Sequence, residues 1–410
     1  MSSTTGPSAP KTWLLGENFD QKYPHLASLQ ALWETKWKFP CKISVYPFHH
    51  GKFEDFEPIF QSLIAKGIQT AYVDEYTEEF LPGARKLAAS AEKAEQSGNR
   101  AEAIDLYERA AAVLRISRFP SKDASDLKKR VFQEQNEVYL KGAALWAEPM
   151  KEIKIPHKAG TDADEGKEIP LLVRLPKGAK EGGGKKVPVV LLITGLDGHR
   201  PDNSGRSHEF HKRGWATVIC EPPGTGDCPA ERRDPTSPDR LFTSILDWIE
   251  KEPYLNENKV IAWGLSAGGY YAIRVAHTHH NMLIGSIGQG AGAHHWLGRE
   301  WLSKVDNHEY PFVLSTAYIE KYGYKDWDEL LENAQKDFSL VENGILKGPS
   351  CRLLLVNGVL DGLMPIEDSY LCMSYGRPKE GRFYEGMQHM GYPPANECIW
   401  PWMEEVMGTT

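Results

Sequence analysis

One serine in this sequence has neighbours that suit nucleophilic catalysis. Ser266 is the centre of Gly264-Leu265-Ser266-Ala267-Gly268, with an apolar run at residues 260–263 before it and a helical pattern after it. A tight turn from strand to helix leaves no room for side chains two residues before or after the serine, which explains the glycines. The start of the helix offers unpaired N–H groups and a positive dipole end beside the hydroxyl. The pattern predicts that Ser266 is an activated nucleophile.

A nucleophilic hydroxyl needs a base, and the base needs an acid to orient it. Asp361 follows a candidate buried strand at residues 353–357, and His389 follows another candidate strand at 381–385. Both are therefore expected on loops at the carboxyl edge of a sheet, in the chain order serine, acid, histidine. Glu367 and Asp368 lie near enough in sequence to take the place of Asp361, and that choice stays open here.

Two backbone N–H groups must hold the alkoxide that forms when a serine attacks a carbonyl. Ala267, directly after the nucleophile, is expected to supply one of them. The other is expected from the loop at residues 193–198, where Gly195 allows a close approach of the backbone and Leu196 is the predicted donor. An ordinary glycine turn is the alternative interpretation of this loop.

The elements that must position these residues alternate between short apolar runs and helical stretches from about residue 151. Candidate strands cover residues 169–175, 187–194, 216–220, 260–264, 284–288, 353–357 and 381–385. This alternation predicts right-handed crossovers and a mainly parallel sheet. Together with the serine motif it predicts an α/β-hydrolase fold for a catalytic domain at residues 151–410, with an exposed turn at 180–186 and a helical insertion at about 294–347.

Residues 1–150 are predicted to form a helical N-terminal cap or lid domain. Apolar residues at helical spacing indicate a helix at 55–63, and a third helix is expected at 125–147. Between them, the alanine-rich stretch 84–114 is interrupted by Gly98-Asn99 as a helical hairpin would be. It resembles one tetratricopeptide unit, but such repeats need about three copies for stability, so a structural hairpin is the preferred interpretation.

Composition argues against several other classes of protein. A net charge of −8 favours neither nucleic acid nor an anionic membrane surface as a partner. No apolar run approaches the roughly 18 residues of an integral membrane span. Residues 1–10 lack the features of a secretory signal and are expected to form a frayed tail, and the six cysteines form no CxxC pair. A reducing, cytoplasmic location is therefore expected, and peripheral attachment to secretory vesicles or endosomes would leave no mark in the sequence.

Neither a cofactor nor a metal is expected. Gly224-Thr225-Gly226 follows an apolar run but lacks the third glycine of a dinucleotide-binding loop. Histidines are numerous, but no HExxH motif or carboxylate spacing typical of zinc sites accompanies them. The histidines concerned are His277, His279, His280, His294 and His295.

Several longer sequence motifs resemble those of one particular family. They are WETKWKF at 33–39, VYPFH at 45–49, RISRFP at 115–120, GLD at 195–197, NGVLDGLMP at 357–365 and FYEGMQHMGYP at 383–393. With the serine motif, they resemble the fungal polyketide-shortening hydrolases of conidial pigment and dihydroxynaphthalene melanin biosynthesis, nearly end to end. More distantly, the chain is similar to bacterial hydrolases that cleave a carbon–carbon bond in nicotine breakdown.

The resemblance implies a reaction and a substrate. These are retro-Claisen hydrolysis of an aromatic polyketide, such as a heptaketide naphthopyrone or an acetylated tetrahydroxynaphthalene, to give 1,3,6,8-tetrahydroxynaphthalene. It also implies a triad of Ser266, Asp361 and His389 without a cofactor, a helical cap over the site and a homodimer. Arg115 and Arg118 are candidates either for contact with phenolate groups or for structural ion pairs.

Two alternatives remain from sequence. An esterase or acyltransferase would use the same triad on an oxygen or sulfur ester, and sequence separates these reactions poorly because fold and triad do not fix the substrate. A non-catalytic interaction protein would use the helical hairpin as its binding surface and would not depend on Ser266.

Overall fold

The computed structural model describes residues 7–161, 164–179, 184 and 186–408. Residues 1–6 of the expected tail and most of the exposed turn expected at 180–186 lie outside the described residues. None of the helices in the described part of the chain combines the length and the apolar character that crossing a membrane requires.

Helices make up the N-terminal part of the described chain. They are α1 (Leu29–Leu32), α2 (Lys38–Lys42), α3 (Phe53–Ala65), α4 (Asp74–Gln96), α5 (Arg100–Arg118) and α6 (Asp126–Ala144), with a π-helical turn at Trp33–Trp37. The helices α4 and α5 pack side by side as the predicted hairpin. The Asn99 side chain caps the second of them by accepting a hydrogen bond from the N–H of Glu102.

An eight-stranded sheet lies at the centre of the rest of the described chain. Its strands are β1 (Met150–Pro156), β2 (Glu168–Arg174), β3 (Val187–Ile193), β4 (Ala216–Cys220), β5 (Leu255–Leu265), β6 (Gly285–Gln289), β7 (Arg352–Gly358) and β8 (Glu380–Tyr384). The order is β1-β2-β4-β3-β5-β6-β7-β8. The two pairs that involve β2 are antiparallel and the other five are parallel, which confirms the predicted mainly parallel sheet.

Helices cover this sheet and connect its strands. They are α7 (Ser204–Lys212), α8 (Ser237–Lys251), α9 (Ala267–Thr278), α10 (Arg299–Leu302), α11 (Leu314–Tyr322), α12 (Trp327–Phe338), α13 (Ile366–Met373) and α14 (Ala395–Met407). The segment between β6 and β7 contains α10, α11 and α12, at the place of the expected insertion. The boundary between two domains near residue 150 stays a prediction.

The N-terminal helices pack directly on the insertion through aromatic side chains. The ring of Trp37 lies 5.5 Å from that of Phe312, and the ring of Phe119 lies 5.8 Å from that of Tyr310. All four side chains belong to the continuous buried core of the described residues. This packing holds the two helical regions together above the carboxyl ends of the parallel strands.

Candidate active site

Ser266 lies on the turn between β5 and α9 in a strained backbone conformation, with φ +57° and ψ −123°. Such a conformation costs a non-glycine residue about 1–3 kcal/mol and persists only where the surroundings enforce it. A Cβ atom on Gly264 would lie 2.1 Å from the carbonyl oxygen of Gly268, and one on Gly268 would lie 2.2 Å from that of Thr194. The glycines of the motif are therefore required by contact with neighbouring backbone.

The structure brings Ser266, His389 and Asp361 into one hydrogen-bonded chain. His389 Nε2 lies 2.8 Å from Ser266 Oγ, and His389 Nδ1 lies 2.7 Å from Asp361 Oδ2. The Asp361 side chain is fully buried, whereas 15% of the His389 side chain is exposed. A carboxylate at Nδ1 accepts the proton of that nitrogen, which leaves Nε2 free to accept the proton of the serine.

The three acids left open by the sequence occupy different surroundings. Asp361 Oδ1 accepts the N–H groups of Leu363 and Met364, while Oδ2 faces the histidine. Asp368 instead accepts the backbone N–H groups of residues 293–296, and Glu367 accepts the N–H of Leu14. Of the three, Asp361 is the acid that contacts His389.

The loop after β3 lies beside the serine. The strands β3 and β5 are parallel neighbours, so this loop and the serine turn emerge at the same edge. A Cβ atom on Gly195 would lie 3.4 Å from Ser266 Cβ, which shows how closely the loop approaches. Ala267 is the first residue of α9, where an N–H group has no acceptor within the helix, and among the described residues the N–H of Leu196 donates to no backbone carbonyl. Both predicted donors are therefore available to an alkoxide, and their catalytic role stays a prediction.

The charges around His389 raise its pKa. Burial is the largest single influence and lowers the pKa of this imidazole, but the carboxylate of Asp361 opposes burial, both by its charge and by its hydrogen bond. The negative charges of Glu309 and Asp197 act in the same direction. The site therefore favours the imidazolium form, which is the form that follows proton transfer from the serine.

Glu309 is a further acid at this site that the sequence did not reveal. Its Oε1 accepts the backbone N–H of His389 at 3.1 Å. Burial, followed by the charge of Asp361, raises the pKa of this carboxyl to about 7, while the charge of Lys36 acts to lower it. Glu309 lies in the insertion, 80 residues from His389 and after no predicted strand, so it carried no local signal.

Glu309, Asp361 and His389 each offer one ligand atom, and these atoms lie within 4.8 Å of one another, as a metal ion would require. However, His389 Nδ1 is already bonded to Asp361, and a metal on that nitrogen would displace the proton that orients the histidine. The set therefore fits a proton-transfer site better than a cation site.

Arg115 and Arg118 form structural ion pairs. Arg118 Nη2 donates to Asp202 Oδ2 at 2.9 Å, and Arg115 Nε lies 3.2 Å from the same oxygen. Both arginines are buried, and Asp202 follows the loop that carries Leu196. Of the two roles considered from sequence, the geometry thus favours structural pairing, which links α5 to the loop beside the serine.

Comparison with known proteins gives a family and distant relatives. Residues 83–407 match the model of the family described as esterase FrsA-like. The chain is 26% identical over 216 residues to the α/β-hydrolase ucsC of Acremonium sp, and 25% identical over 264 residues to hydrolase ORFZ of Pyricularia oryzae. These matches cover 50% and 57% of this chain and only 44% and 60% of the relatives' own lengths.

The chain is also similar to a bacterial relative in sequence and to solved structures in fold. The 2,6-dihydropseudooxynicotine hydrolase of Paenarthrobacter nicotinovorans is 26% identical over 140 residues, which are 34% of this chain and 35% of that protein. The crystal structure of 2,6-dihydroxy-pseudo-oxynicotine hydrolase superposes with a TM-score of 0.64 at 19% identity, covering 81% of this chain and 86% of that one. AbyA5 superposes with a TM-score of 0.61 at 18% identity, covering 79% and 88%. The α/β-hydrolase fold predicted from sequence is thus confirmed, and the chain belongs to the family of FrsA-like esterases.

Proposed function

We propose that this protein hydrolyses a carbon–carbon bond in an aromatic polyketide by a retro-Claisen reaction at Ser266. The products are a short acid, such as acetoacetate or acetate, and 1,3,6,8-tetrahydroxynaphthalene for melanin biosynthesis. The observation that carries this proposal is the hydrogen-bonded chain of Ser266, His389 and Asp361, with the second buried acid Glu309 against the histidine. The substrate class comes from the sequence resemblance, and the 2,6-dihydropseudooxynicotine hydrolase among the relatives supports a hydrolytic reaction.

The first step is attack of Ser266 Oγ on the ketone carbon beside the aromatic ring. His389 Nε2 takes the hydroxyl proton as the new bond forms, and Asp361 stabilises the resulting imidazolium. The ketone oxygen becomes an alkoxide and accepts hydrogen bonds from the N–H groups of Leu196 and Ala267. Both N–H groups are available for this contact, as described above.

The second step breaks the bond between the acyl carbon and the ring. Its electron pair goes to the ring carbon, and phenol groups ortho and para to that carbon delocalise the charge. The imidazolium of His389 then protonates the carbon. Glu309, with a pKa of about 7, is positioned to supply negative charge to that imidazolium or to hold a proton beside it.

The third step returns the enzyme to its starting state. Water, deprotonated by His389, attacks the acyl-serine, and collapse of the second alkoxide restores the Ser266 hydroxyl. In total one water is consumed, its hydroxyl ends on the acid, and its hydrogen replaces the acyl group on the ring. No electron leaves or enters, so the reaction balances without a redox cofactor.

Product analysis by mass spectrometry tests the proposal. Purified protein is incubated with a heptaketide naphthopyrone, beside the Ser266→Ala variant. We expect tetrahydroxynaphthalene and a short acid from the wild type alone. A wild type that produces no tetrahydroxynaphthalene but turns over simple aryl esters would contradict the proposed substrate and leave the nucleophile standing.

Ester hydrolysis is the second candidate, because the chain belongs to a family described as esterases. An ester leaving group departs as an alkoxide, which needs a proton from His389 but no stabilised carbanion. The Glu309→Gln variant distinguishes ester hydrolysis from carbon–carbon cleavage. We expect it to slow carbon–carbon cleavage more than aryl ester hydrolysis, since an aryl oxide leaves without help.

The resemblance also supports proposals that the site does not address. These are a homodimer and a cytoplasmic location, with vesicle attachment undecided. Sedimentation equilibrium would give about 92 kDa for a dimer, twice the 46.1 kDa of the chain. A mass of one chain at micromolar concentration would contradict the dimer.

A further inference from the structure

Asp197, the residue after the predicted alkoxide donor Leu196, binds two tyrosine hydroxyls through a single carboxylate oxygen. Tyr46 and Tyr310 each donate to Asp197 Oδ2 at 2.9 Å. The guanidinium of Arg115 lies 3.9 Å from the other oxygen, Oδ1. Asp197 is buried, so this arrangement keeps a desolvated carboxylate satisfied.

The two tyrosines come from different parts of the chain. Tyr46 follows α2 among the N-terminal helices, and Tyr310 lies in the insertion between β6 and β7, directly after Glu309. Neither belongs to the central sheet that carries the catalytic residues. Both helical regions therefore contact the same short loop, one residue from Leu196.

The main chain of Asp197 is held from the N-terminal side as well. Its carbonyl oxygen accepts a hydrogen bond from Arg118 Nη1 at 3.0 Å. The same guanidinium donates to Gln135 Oε1 at 2.6 Å and to Asp202 Oδ2 at 2.9 Å. Helix α5, through Arg118, thus holds the peptide between Asp197 and Gly198, and Gln135 of α6 holds Arg118.

The loop itself has few main-chain bonds to keep its shape. Among the described residues, no backbone hydrogen bond is recorded for the N–H groups of residues 195–198, although Thr194 N–H still bonds to Cys220 in the sheet. An alkoxide donor must be held within about 0.5 Å to be effective. Beside the packing of Gly195 against the serine turn, the bonds to Asp197 are therefore the polar contacts that can set the position of the Leu196 N–H.

We propose that Asp197 is a positioning residue of the alkoxide-binding site, and that Tyr46 and Tyr310 hold it there from the two helical regions. This inference rests on the proposed role of Ser266 as nucleophile. It gives the N-terminal helices a part in the chemistry beyond covering the site. Loss of either hydroxyl lets the loop relax and weakens stabilisation of the alkoxide, which forms only after attack.

The test uses full-length Tyr46→Phe, Tyr310→Phe, the double variant and Asp197→Asn. Each tyrosine variant removes one oxygen and keeps its ring. Tyr46 is the more informative of the two sites because the residue is 46% exposed, so its substitution disturbs the core less. Tyr107→Phe is the matched control, since its hydroxyl donates at 2.8 Å to Glu95 between α5 and α4. Steady-state hydrolysis of p-nitrophenyl acetate and the rate of labelling by an aryl fluorophosphonate are measured for each. Thermal unfolding establishes that each variant is folded.

We expect kcat and the labelling rate to fall about tenfold in each single tyrosine variant, with KM changed less than twofold. The double variant and Asp197→Asn should both approach the roughly 10²–10³-fold loss that removal of one alkoxide donor causes. Tyr107→Phe should match the wild type in both rates. A loss in the double variant close to that in Asp197→Asn supports action through one carboxylate.

Three outcomes would overturn the inference. Folded variants with wild-type kcat and labelling rate would show that the Leu196 loop keeps its position without these hydrogen bonds. A rise in KM at constant kcat would indicate that the tyrosines bind substrate instead. If the fluorophosphonate does not label Ser266 in the wild type, this inference falls with the nucleophile. Failure to cleave a polyketide leaves the test intact, because labelling requires only a reactive serine.

Discussion

Replacing Asp361 by Asn should force His389 into a tautomer that cannot accept the proton of Ser266. The two carboxylate oxygens have different partners, so the new amide has one acceptable orientation. Oδ1 accepts two backbone N–H groups, from Leu363 at 2.7 Å and Met364 at 2.9 Å. The amide oxygen must stay there, and the NH₂ group must take the position of Oδ2, where it faces His389 Nδ1.

The neighbouring amide cannot relieve this arrangement. Asn357 donates its NH₂ group to Asp361 Oδ2 at 2.7 Å, and its own oxygen accepts the N–H groups of Gly358 and Met390. It therefore cannot rotate without losing two bonds. Two NH₂ groups would face each other, at a cost of about 1–3 kcal/mol for an unsatisfied buried donor.

The catalytic consequence follows from the tautomer. With an NH₂ group at Nδ1, the ring of His389 carries its proton on Nε2, which then cannot accept the proton of Ser266. The same change in another serine triad lowers kcat about 10⁴-fold, which corresponds to about 5 kcal/mol of transition-state free energy. We expect a loss of that size in Asp361→Asn, with little change in KM.

The assay is p-nitrophenyl acetate hydrolysis, with thermal unfolding measured alongside. Asp368→Asn is the matched control, because that acid is also buried but binds only the backbone N–H groups of residues 293–296. Asp368→Asn should lower the free energy of unfolding. At temperatures below the unfolding transition, its kcat should stay within about threefold of the wild-type value. A folded Asp361→Asn that keeps a tenth of wild-type kcat, or a larger kcat loss in Asp368→Asn, would refute the reasoning.

Four further substitutions test other parts of the site. Ser266→Ala and His389→Ala should each lower kcat about 10⁶-fold in a folded protein, and measurable burst kinetics in either would contradict the triad. Because the pKa of His389 is raised above 6.5, the acid limb of kcat/KM should lie above pH 6.5, and Glu309→Gln should move it to lower pH by removing a negative charge. If the acid limb of the pH profile does not move in Glu309→Gln, the charge of Glu309 does not affect the pKa of His389. Gly268→Ala places a Cβ atom 2.2 Å from the Thr194 oxygen and should prevent correct folding of the serine turn, so a soluble, active variant with an unchanged unfolding midpoint would argue against that contact.

Local sequence patterns predicted the strands that are buried on both faces and the helices that are rich in alanine. Strand β4 was predicted with the bounds that it has, because its residues are apolar and buried on both faces. The alanine-rich pattern and the Gly98-Asn99 break predicted the hairpin of α4 and α5 over residues 84–114, although α4 begins earlier, at Asp74, and α5 ends later, at Arg118. Strand β1 was not predicted, because it lies at the edge of the sheet and most of its side chains are exposed or half-buried.

For the site, sequence by itself determined which residues could carry the chemistry. The strained serine turn requires glycines at fixed spacing, and acids and histidines after strands can be recognised because loops at one edge of a parallel sheet converge. Those rules are local, or depend only on chain order, and they are sufficient to name Ser266 and His389 and to limit the acid to Asp361, Glu367 or Asp368.

Tertiary structure alone decided which of several similar groups face one another. Asp361 contacts the histidine while Asp368 binds backbone, although both follow β7. Glu309 reaches His389 from the insertion, and Asp197 receives hydroxyls from two separate helical regions. The physical reason is that hydrogen bonds and charges act over a few ångströms in space, and no spacing in the chain records which distant segments the packing brings within that range.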